Sequence, residues 1–416
     1  MTKALTFSRR EGLLLVEQAT GEFGKQIAFL AVPVITVSVM NLSVGQIALL
    51  STCTAIAAIA GSATLAWASG RARVRRIVIA GCLVYTGGLI GMSLGTMGGP
   101  QFLWVFVAGA LVTAFVTSVY RVGTVVSIQS AVEPLRRAQL NSWTNTIQAM
   151  ASVGLPPLIG AVLVFGYQGA WLLADALTWL FSCWVFSLLL PRSRNADEKE
   201  QTAAESEQKS RSWWQDSHVR AGVWAVALLG FARTLATTVL AFIVLKELGL
   251  NSGSLGTIFA VGGIGFLGGA ILSRWVSLQR YRLLVTMILA IVCLLVLSLG
   301  AGAFAPPIGA GVGLAAFMGL SAVIGLLIEI AIDVWRQQTL STKDLAGVTA
   351  FSDTAETLAR LAASGAAGLI GISLGARAVL LFAAGAYLLA VGMALVALRA
   401  VTRTAPEGSA SPTSGA

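Results

Sequence analysis

The chain has 416 residues, of which 56% are hydrophobic and only 11% charged, proportions that exclude an ordinary soluble globular domain. Its net charge of +10 comes from 28 Lys and Arg against 18 Asp and Glu. Most of that charge lies in short segments between apolar blocks, which points to lipid as the partner and away from nucleic acid.

A bilayer-crossing helix needs about 20 mostly apolar residues. The chain carries twelve such blocks, at roughly 18–40, 45–68, 77–97, 102–126, 143–165, 169–190, 221–243, 253–273, 283–304, 308–331, 350–373 and 376–399. The basic start with Lys3, Arg9 and Arg10 precedes an apolar stretch too long for a signal-peptide core, so the first span is expected to be retained. The expected fold is therefore an all-α integral membrane protein of twelve transmembrane helices. Residues 1–190 form an N-terminal six-helix half and 221–400 a C-terminal one. Between them, 191–220 is rich in Glu, Lys, Ser and Gln and reads as a cytoplasmic linker, and 401–416 reads as a disordered cytoplasmic tail. Cys53, Cys82, Cys183 and Cys293 fall inside apolar runs, too far apart for a zinc site or disulfide framework, and read as small buried hydrophobes.

Basic residues are retained on the cytoplasmic side of a membrane. The N-terminus, the even-numbered loops, the linker and the tail hold 22 of the 28, while the opposite loops hold only Lys246 and Arg377. Both termini are thus expected in the cytoplasm. The halves repeat: Arg71, Arg75 and Arg76 follow the second span, and Arg274, Arg280 and Arg282 follow the eighth. The stretch from Gln129 to Ala138 likewise matches Gln338 to Gly347 at an offset of 209. Parallel six-helix repeats around a central linker are a transporter architecture, with the substrate path between the halves. A duplicated channel is the alternative architecture, though no selectivity-filter signature is present.

Several motifs resemble those of the major facilitator superfamily. The loop Ser69-Gly70-Arg71-Ala72-Arg73-Val74-Arg75-Arg76 is similar to the family's acidic-basic loop after span 2, with Gly70 where the acid would stand. The stretch from Arg137 to Gln148 and Ala174-Asp175-Ala176 resemble the drug-exporting branch that includes macrolide-efflux-type and siderophore-exporter-type proteins. Gly154-Leu155-Pro156-Pro157-Leu158-Ile159-Gly160 is similar to the antiporter motif of span 5, though plain helix packing with a kink accounts for it equally. The resemblance implies two halves related by a pseudo-two-fold axis, with spans 1, 4, 7 and 10 lining a central cavity and 2, 5, 8 and 11 flanking it. The basic loops, Arg71, Arg75, Arg76, Arg274 and Arg280, would act as conformational latches.

An ionisable group in the hydrocarbon costs several kcal/mol unless it faces water or a partner, so each is a functional candidate. Glu22 and Lys25 lie in span 1, Arg121 in span 4, Asp175 in span 6, Arg233 in span 7, Glu329 in span 10 with Asp333 near its end, and Asp353, Glu356 and Arg360 in span 11. The last three share one helical face. A Glu356 to Arg360 pair would leave Asp353 the least partnered, and desolvation would then favour its protonated form. Asp353, Glu356, Glu22 and Glu329 are thus the candidates for carrying a coupling proton. The bland alternative is that they only hold helices together, as Glu22 with Lys25 or Glu329 with Arg233. Arg121, Arg233, Arg360, Lys25, Asn145 and Gln148 are candidates for the substrate cavity. On span 5, Asn141, Asn145, Gln148 and Ser152 form a polar face that interhelical hydrogen bonding would also explain.

His218, the one histidine, is expected in the linker, and the glycines from Gly263 to Gly268 read as helix packing although they spell a dinucleotide pattern. Trp104, Phe106, Phe115 and Tyr120 of span 4 read mainly as interface anchors or lipid contacts. No nucleophile and base, metal-ligand cluster or phosphate loop indicates an enzyme. The expected activity is secondary active transport without a cofactor: proton-coupled efflux, by antiport, of a drug-like small molecule or secondary metabolite. Its partners are that substrate, protons and the lipid bilayer. The Ala and Gly richness suggests a high-GC bacterium, hence a multi-pass protein of the bacterial inner (cytoplasmic) membrane, and the family resemblance implies a monomer. The rival readings are an importer of a nutrient or siderophore and a transport-inactive membrane sensor.

Overall fold

A computed structural model describes residues 8–67, 71–131, 134–189, 216–275, 281–339 and 342–404. They are helical almost throughout, with no strand among them. Within a bilayer no water reaches the backbone, and a helix satisfies its own peptide groups. The twelve helices among the described residues are α1 (Arg9–Val34), α2 (Val44–Trp67), α3 (Arg71–Gly98), α4 (Leu103–Ala131), α5 (Pro134–Leu163), α6 (Gln168–Leu189), α7 (Ser217–Phe242), α8 (Ser252–Trp275), α9 (Tyr281–Phe304), α10 (Pro307–Thr339), α11 (Thr342–Leu374) and α12 (Ala376–Thr404). Eleven contain, among the described residues, a stretch long and apolar enough to cross a membrane, and α4 contributes a shorter one, Leu103–Thr117.

Helix pairing repeats between the halves. In the first, α1 packs on α5 and α6, α3 on α4 and α6, and α2 on α4; in the second, α7 packs on α11 and α12, α9 on α10 and α12, and α8 on α10. The halves meet where α5 lies on α8 and α2 on α11. The local geometry repeats as well. Both α1 and α7 end in a π-helical turn, Ile35–Val39 and Ile243–Glu247, 208 residues apart. In each, an amide reaches five residues back (Met40 N to Ile35 O, Leu248 N to Ile243 O, both 2.9 Å). The next residue but one adopts the left-handed conformation, Asn41 at φ 53° and Gly249 at φ 65°, and these are the two residue types that tolerate it best at a helix end.

Glycines set the closest helix approaches. A methyl group on Gly265 of α8 would lie 2.1 Å from the Gly319 carbonyl oxygen of α10, and one on Gly256 of α8 would lie 2.4 Å from the Pro156 carbonyl oxygen of α5. Gly263 likewise faces the Ser152 carbonyl oxygen, so the Gly263 to Gly268 run packs helices, as its sequence suggests. The stretch containing Pro156 and Pro157 stays within one helix, α5, that packs against α8.

Four expectations change. Helix α1 starts at Arg9, well before residue 18, because Ser8 and Glu11 cap it reciprocally: Ser8 N donates to Glu11 Oε2 at 2.7 Å and Glu11 N to Ser8 Oγ at 3.3 Å. His218 belongs to α7, close to Val396 O at 3.0 Å through Nδ1, because Asp216 caps that helix upstream of it. Among the cysteines only Cys82 is buried; Cys53 and Cys183 are half-buried and Cys293 is exposed on the outside of α9. Phe106 and Tyr120 are core residues, whereas Trp104 is 79% exposed.

Alanine in place of glycine ordinarily gains about 1 kcal/mol in a helix. Gly325→Ala, with open space around it, is expected to keep that gain. Gly265→Ala is expected instead to lose about 1–3 kcal/mol, because its neighbour is backbone that cannot yield. Thermal unfolding of the two purified variants should therefore move in opposite directions from the wild type.

Candidate transport cavity and its ionisable groups

In the C-terminal half, α7, α10 and α11 bring charges of both signs together. Glu356 lies over Gly230 of α7, where a methyl group would be 2.7 Å from its Cγ, and it is paired with Arg360 one turn on. Glu329 of α10 is exposed within the field of Glu356, Arg233, Arg360 and Asp333. It forms no ion pair with Arg233 within 4 Å among the described residues, so that pairing is not made. Asp353 lacks an ion pair among the described residues, as its position beside the Glu356–Arg360 pair suggests, but it is exposed, so the expected desolvation is not found. Arg336, which lies beyond the tenth apolar block, is buried in an α10 that runs on to Thr339. It reaches Asp333 at 3.7 Å and Ser352 Oγ at 3.3 Å, and its Nε has no partner.

In the N-terminal half, Lys25 Nζ donates to Glu22 Oε1 at 2.6 Å and stands 5.3 Å from the centre of the Tyr120 ring. The lysine side chain is 39% exposed and that of Glu22 only 6%. Behind this pair lie two acids that are fully buried. Glu17 of α1 accepts from Tyr120 of α4, Ser182 of α6 and Gln18. Asp175 of α6 accepts from Thr178 Oγ1 at 3.1 Å through Oδ1, and its Oδ2 has no partner. Gly24 is what admits it, since a methyl group there would be 2.3 Å from Asp175 Oδ1. Stacked Tyr85 and Trp179 (ring centres 3.6 Å apart) and Tyr120 beside Trp179 (4.8 Å) wall this region with aromatic rings.

On α5, Ser152 accepts from Gln26 Nε2 of α1 at 3.3 Å, an interhelical bond, and Gln148 is exposed. The side chains of Arg121, Asn141, Asn145, Arg71, Arg75 and Arg274, and the whole of Arg280, lie outside the described residues; Arg76 is exposed on α3.

At the end of the bundle where α1 and α7 finish, the halves are joined. Lys246 donates to Asn41 across the interface, and Gly45 and Gly371 bring the start of α2 against the end of α11. Arg377 donates to Glu247 at 2.9 Å, so both basic residues of the sparse loops are engaged. Just inside lies a cavity of about 150 Å³ between α1, α2, α4 and α7, bearing the hydroxyls of Thr36, Ser51, Thr54, Thr237 and Thr238. Pockets for drug-sized ligands run to about 300–1,000 Å³, so this closed end is too small for one.

Two pseudo-symmetric six-helix halves, with charged groups on helices of both, define a polytopic membrane transporter. A model of the Major Facilitator Superfamily matches residues 18–342, and the chain belongs to that family. No curated protein matches it. Among solved structures it is similar to a bacterial homologue of the iron transporter ferroportin in the inward-facing state, at 17% identity over 96% of this chain and 100% of the other, with a TM-score of 0.73. An outward-facing structure of a bacterial ferroportin homologue scores 0.57 at 17% identity over 95% of this chain and 100% of the other. A D-xylose-proton symporter scores 0.66, also at 17% identity, over 95% and 98%. At these identities the likeness is one of fold.

The Glu22–Lys25 contact is testable by itself. Lys25→Met leaves a buried carboxylate without its donor and is expected to cost about 1–3 kcal/mol, discounted for the partly exposed lysine. Adding Glu22→Gln should restore most of the loss. Thermal unfolding of the single and double variants closes the cycle, and additive losses would show that the two side chains are uncoupled.

Proposed function

We propose that the protein is a proton-coupled exporter of a drug-like small molecule or secondary metabolite, working by alternating access as a monomer in a bacterial cytoplasmic membrane. The observation that carries this reading is how the four candidate coupling acids are partnered. Glu22 and Glu356 are held by the basic groups Lys25 and Arg360. Glu329 and Asp353 have no ion pair among the described residues and so are left to take up and release protons. Asp353 is the preferred carrier, on α11 beside the Glu356–Arg360 pair; Arg233, Arg360, Lys25 and Gln148 are available to a substrate entering between the halves. The transmembrane proton gradient supplies the energy, and no cofactor is required.

Outward direction is supported by the resemblance of residues 137–148 to the drug-exporting branch. The distribution of basic residues favours cytoplasmic termini, which makes the closed end of the bundle the extracytoplasmic one and this conformation inward-facing. Binding a proton on one side and losing it on the other would bias the two states, since a ligand shifts such an equilibrium only by its differential affinity for them.

The test is accumulation of a panel of fluorescent drugs in an efflux-deficient bacterium. Wild-type expression is expected to lower accumulation, and both an uncoupler and Asp353→Asn at equal expression are expected to abolish the effect. An effect that survives the uncoupler removes proton coupling from the reading. Loss of the effect with the uncoupler but not with Asp353→Asn moves the carrier to another acid. Counterflow in vesicles separates export from import.

A further inference from the structure

We propose that Glu17, at the junction of α1, α4 and α6, is a proton-binding site of the N-terminal half, with Tyr120 as its hydrogen-bond partner beside the Glu22–Lys25 face of α1. The inference rests on the reading of the protein as proton-driven, but it concerns an acid outside the set that faces the cleft.

The argument starts from the chemistry of the partners. Lys and Arg can only donate a hydrogen bond. Glu22 is paired with Lys25, Glu356 with Arg360, Asp333 with Arg336 and Glu247 with Arg377. Glu17 is fully buried, and among the described residues none of its hydrogen-bond partners is of that kind. Its Oε1 accepts from Tyr120 OH at 2.7 Å and from Ser182 Oγ at 3.0 Å, and its Oε2 accepts from Gln18 Nε2 at 2.8 Å. A hydroxyl donates to a carboxylate and, by rotating its proton, accepts from a carboxylic acid; an amide does the same by presenting its oxygen. Three such partners, two of them on other helices, solvate both protonation states without moving the carboxyl group. A carboxylate that served only to tie helices together would gain more from a cation.

The site is also shaped for the phenol. A methyl group on Gly21 would stand 2.8 Å from Tyr120 OH and 3.8 Å from Glu17 Oε1, so the bare backbone at Gly21 leaves the space in which the hydroxyl meets the carboxyl. Tyr120 stands between this interior and the partly exposed Lys25, whose Nζ lies 5.3 Å from the centre of its ring and in turn holds Glu22. The titratable groups facing Glu17 are Lys25 on α1 itself, Tyr120 from α4 and Cys82 from α3. From α6 the nearest contact is the Ser182 hydroxyl, with Asp175 two turns before it on the same helix.

Infrared difference spectroscopy of the purified full-length protein in lipid nanodiscs, acidic minus alkaline pH and with no substrate, reads the carbonyl stretch of a protonated carboxyl group directly. The expected result is a band in the wild type that is lost in Glu17→Gln and retained in Asp353→Asn and Asp175→Asn. In Tyr120→Phe and in Gly21→Ala the band should remain but shift in frequency and in titration midpoint. A wild type without such a band, or a band unchanged in Glu17→Gln, overturns the proposal. Should Glu17→Gln fail to fold, an unshifted band in Tyr120→Phe overturns it equally. Because no substrate is involved, failure of the drug-accumulation assay leaves this result standing, and the band can disappear from the proposal while export persists.

Discussion

Inside the hydrocarbon layer there is no solvent to complete a hydrogen bond, so every polar group of the bundle depends on another part of the protein for its partner. The helices meet this requirement for the backbone, and most hydroxyls follow by bonding to a carbonyl one turn earlier, as Thr86 does to Cys82 and Ser298 to Leu295. Acids and bases cannot be accommodated so locally. Each must draw in a neighbouring helix, a lysine or arginine one turn away, or a water-filled cleft, and the architecture around α1, α4, α6, α7, α10 and α11 is arranged by those needs.

Small residues make the arrangement possible. Where Gly24 faces Asp175, Gly21 faces Tyr120 and Gly230 faces Glu356, the missing side chain is the space into which a polar group fits. Where Gly256 faces Pro156 and Gly265 faces Gly319, the same device brings backbones together, once between the halves and once within one. Without a hydrophobic driving force between helices in lipid, such close approach is a main source of attraction. The bundle thus uses one residue type both to hold helices in contact and to house its charges.

How much of this was legible in the sequence depended on the distance between partners along the chain. The twelve spans and the duplication follow from hydropathy and spacing, and the Glu356–Arg360 pair is local enough to be read from its four-residue separation. The partnership of Glu17 with Tyr120 spans 103 residues and carries no pattern that a single sequence reveals. Glu17 also fell outside a span drawn by bilayer thickness, although Ser8 and Glu11 mark a helix start further upstream; the helix runs through the membrane surface without regard to that boundary. At the other end of a helix the same holds for Arg336, since α10 extends beyond its apolar stretch and buries the guanidinium against Asp333 and Ser352.

The matched π turns at the ends of α1 and α7 have an evolutionary reading. A π turn holds one residue more than the α turn it replaces, and at 3.6 residues per turn one residue corresponds to a rotation of about 100°. The residues that follow, Asn41 in one half and the segment ending at Gly249 in the other, therefore owe their direction to a single added amino acid. Its presence at equivalent places makes it part of the repeat that relates the two halves. A one-residue deletion in either turn would swing Asn41 or Lys246 away from its partner, so the length of these two turns, rather than the identity of any side chain, is the inherited specification of how the closed end shuts.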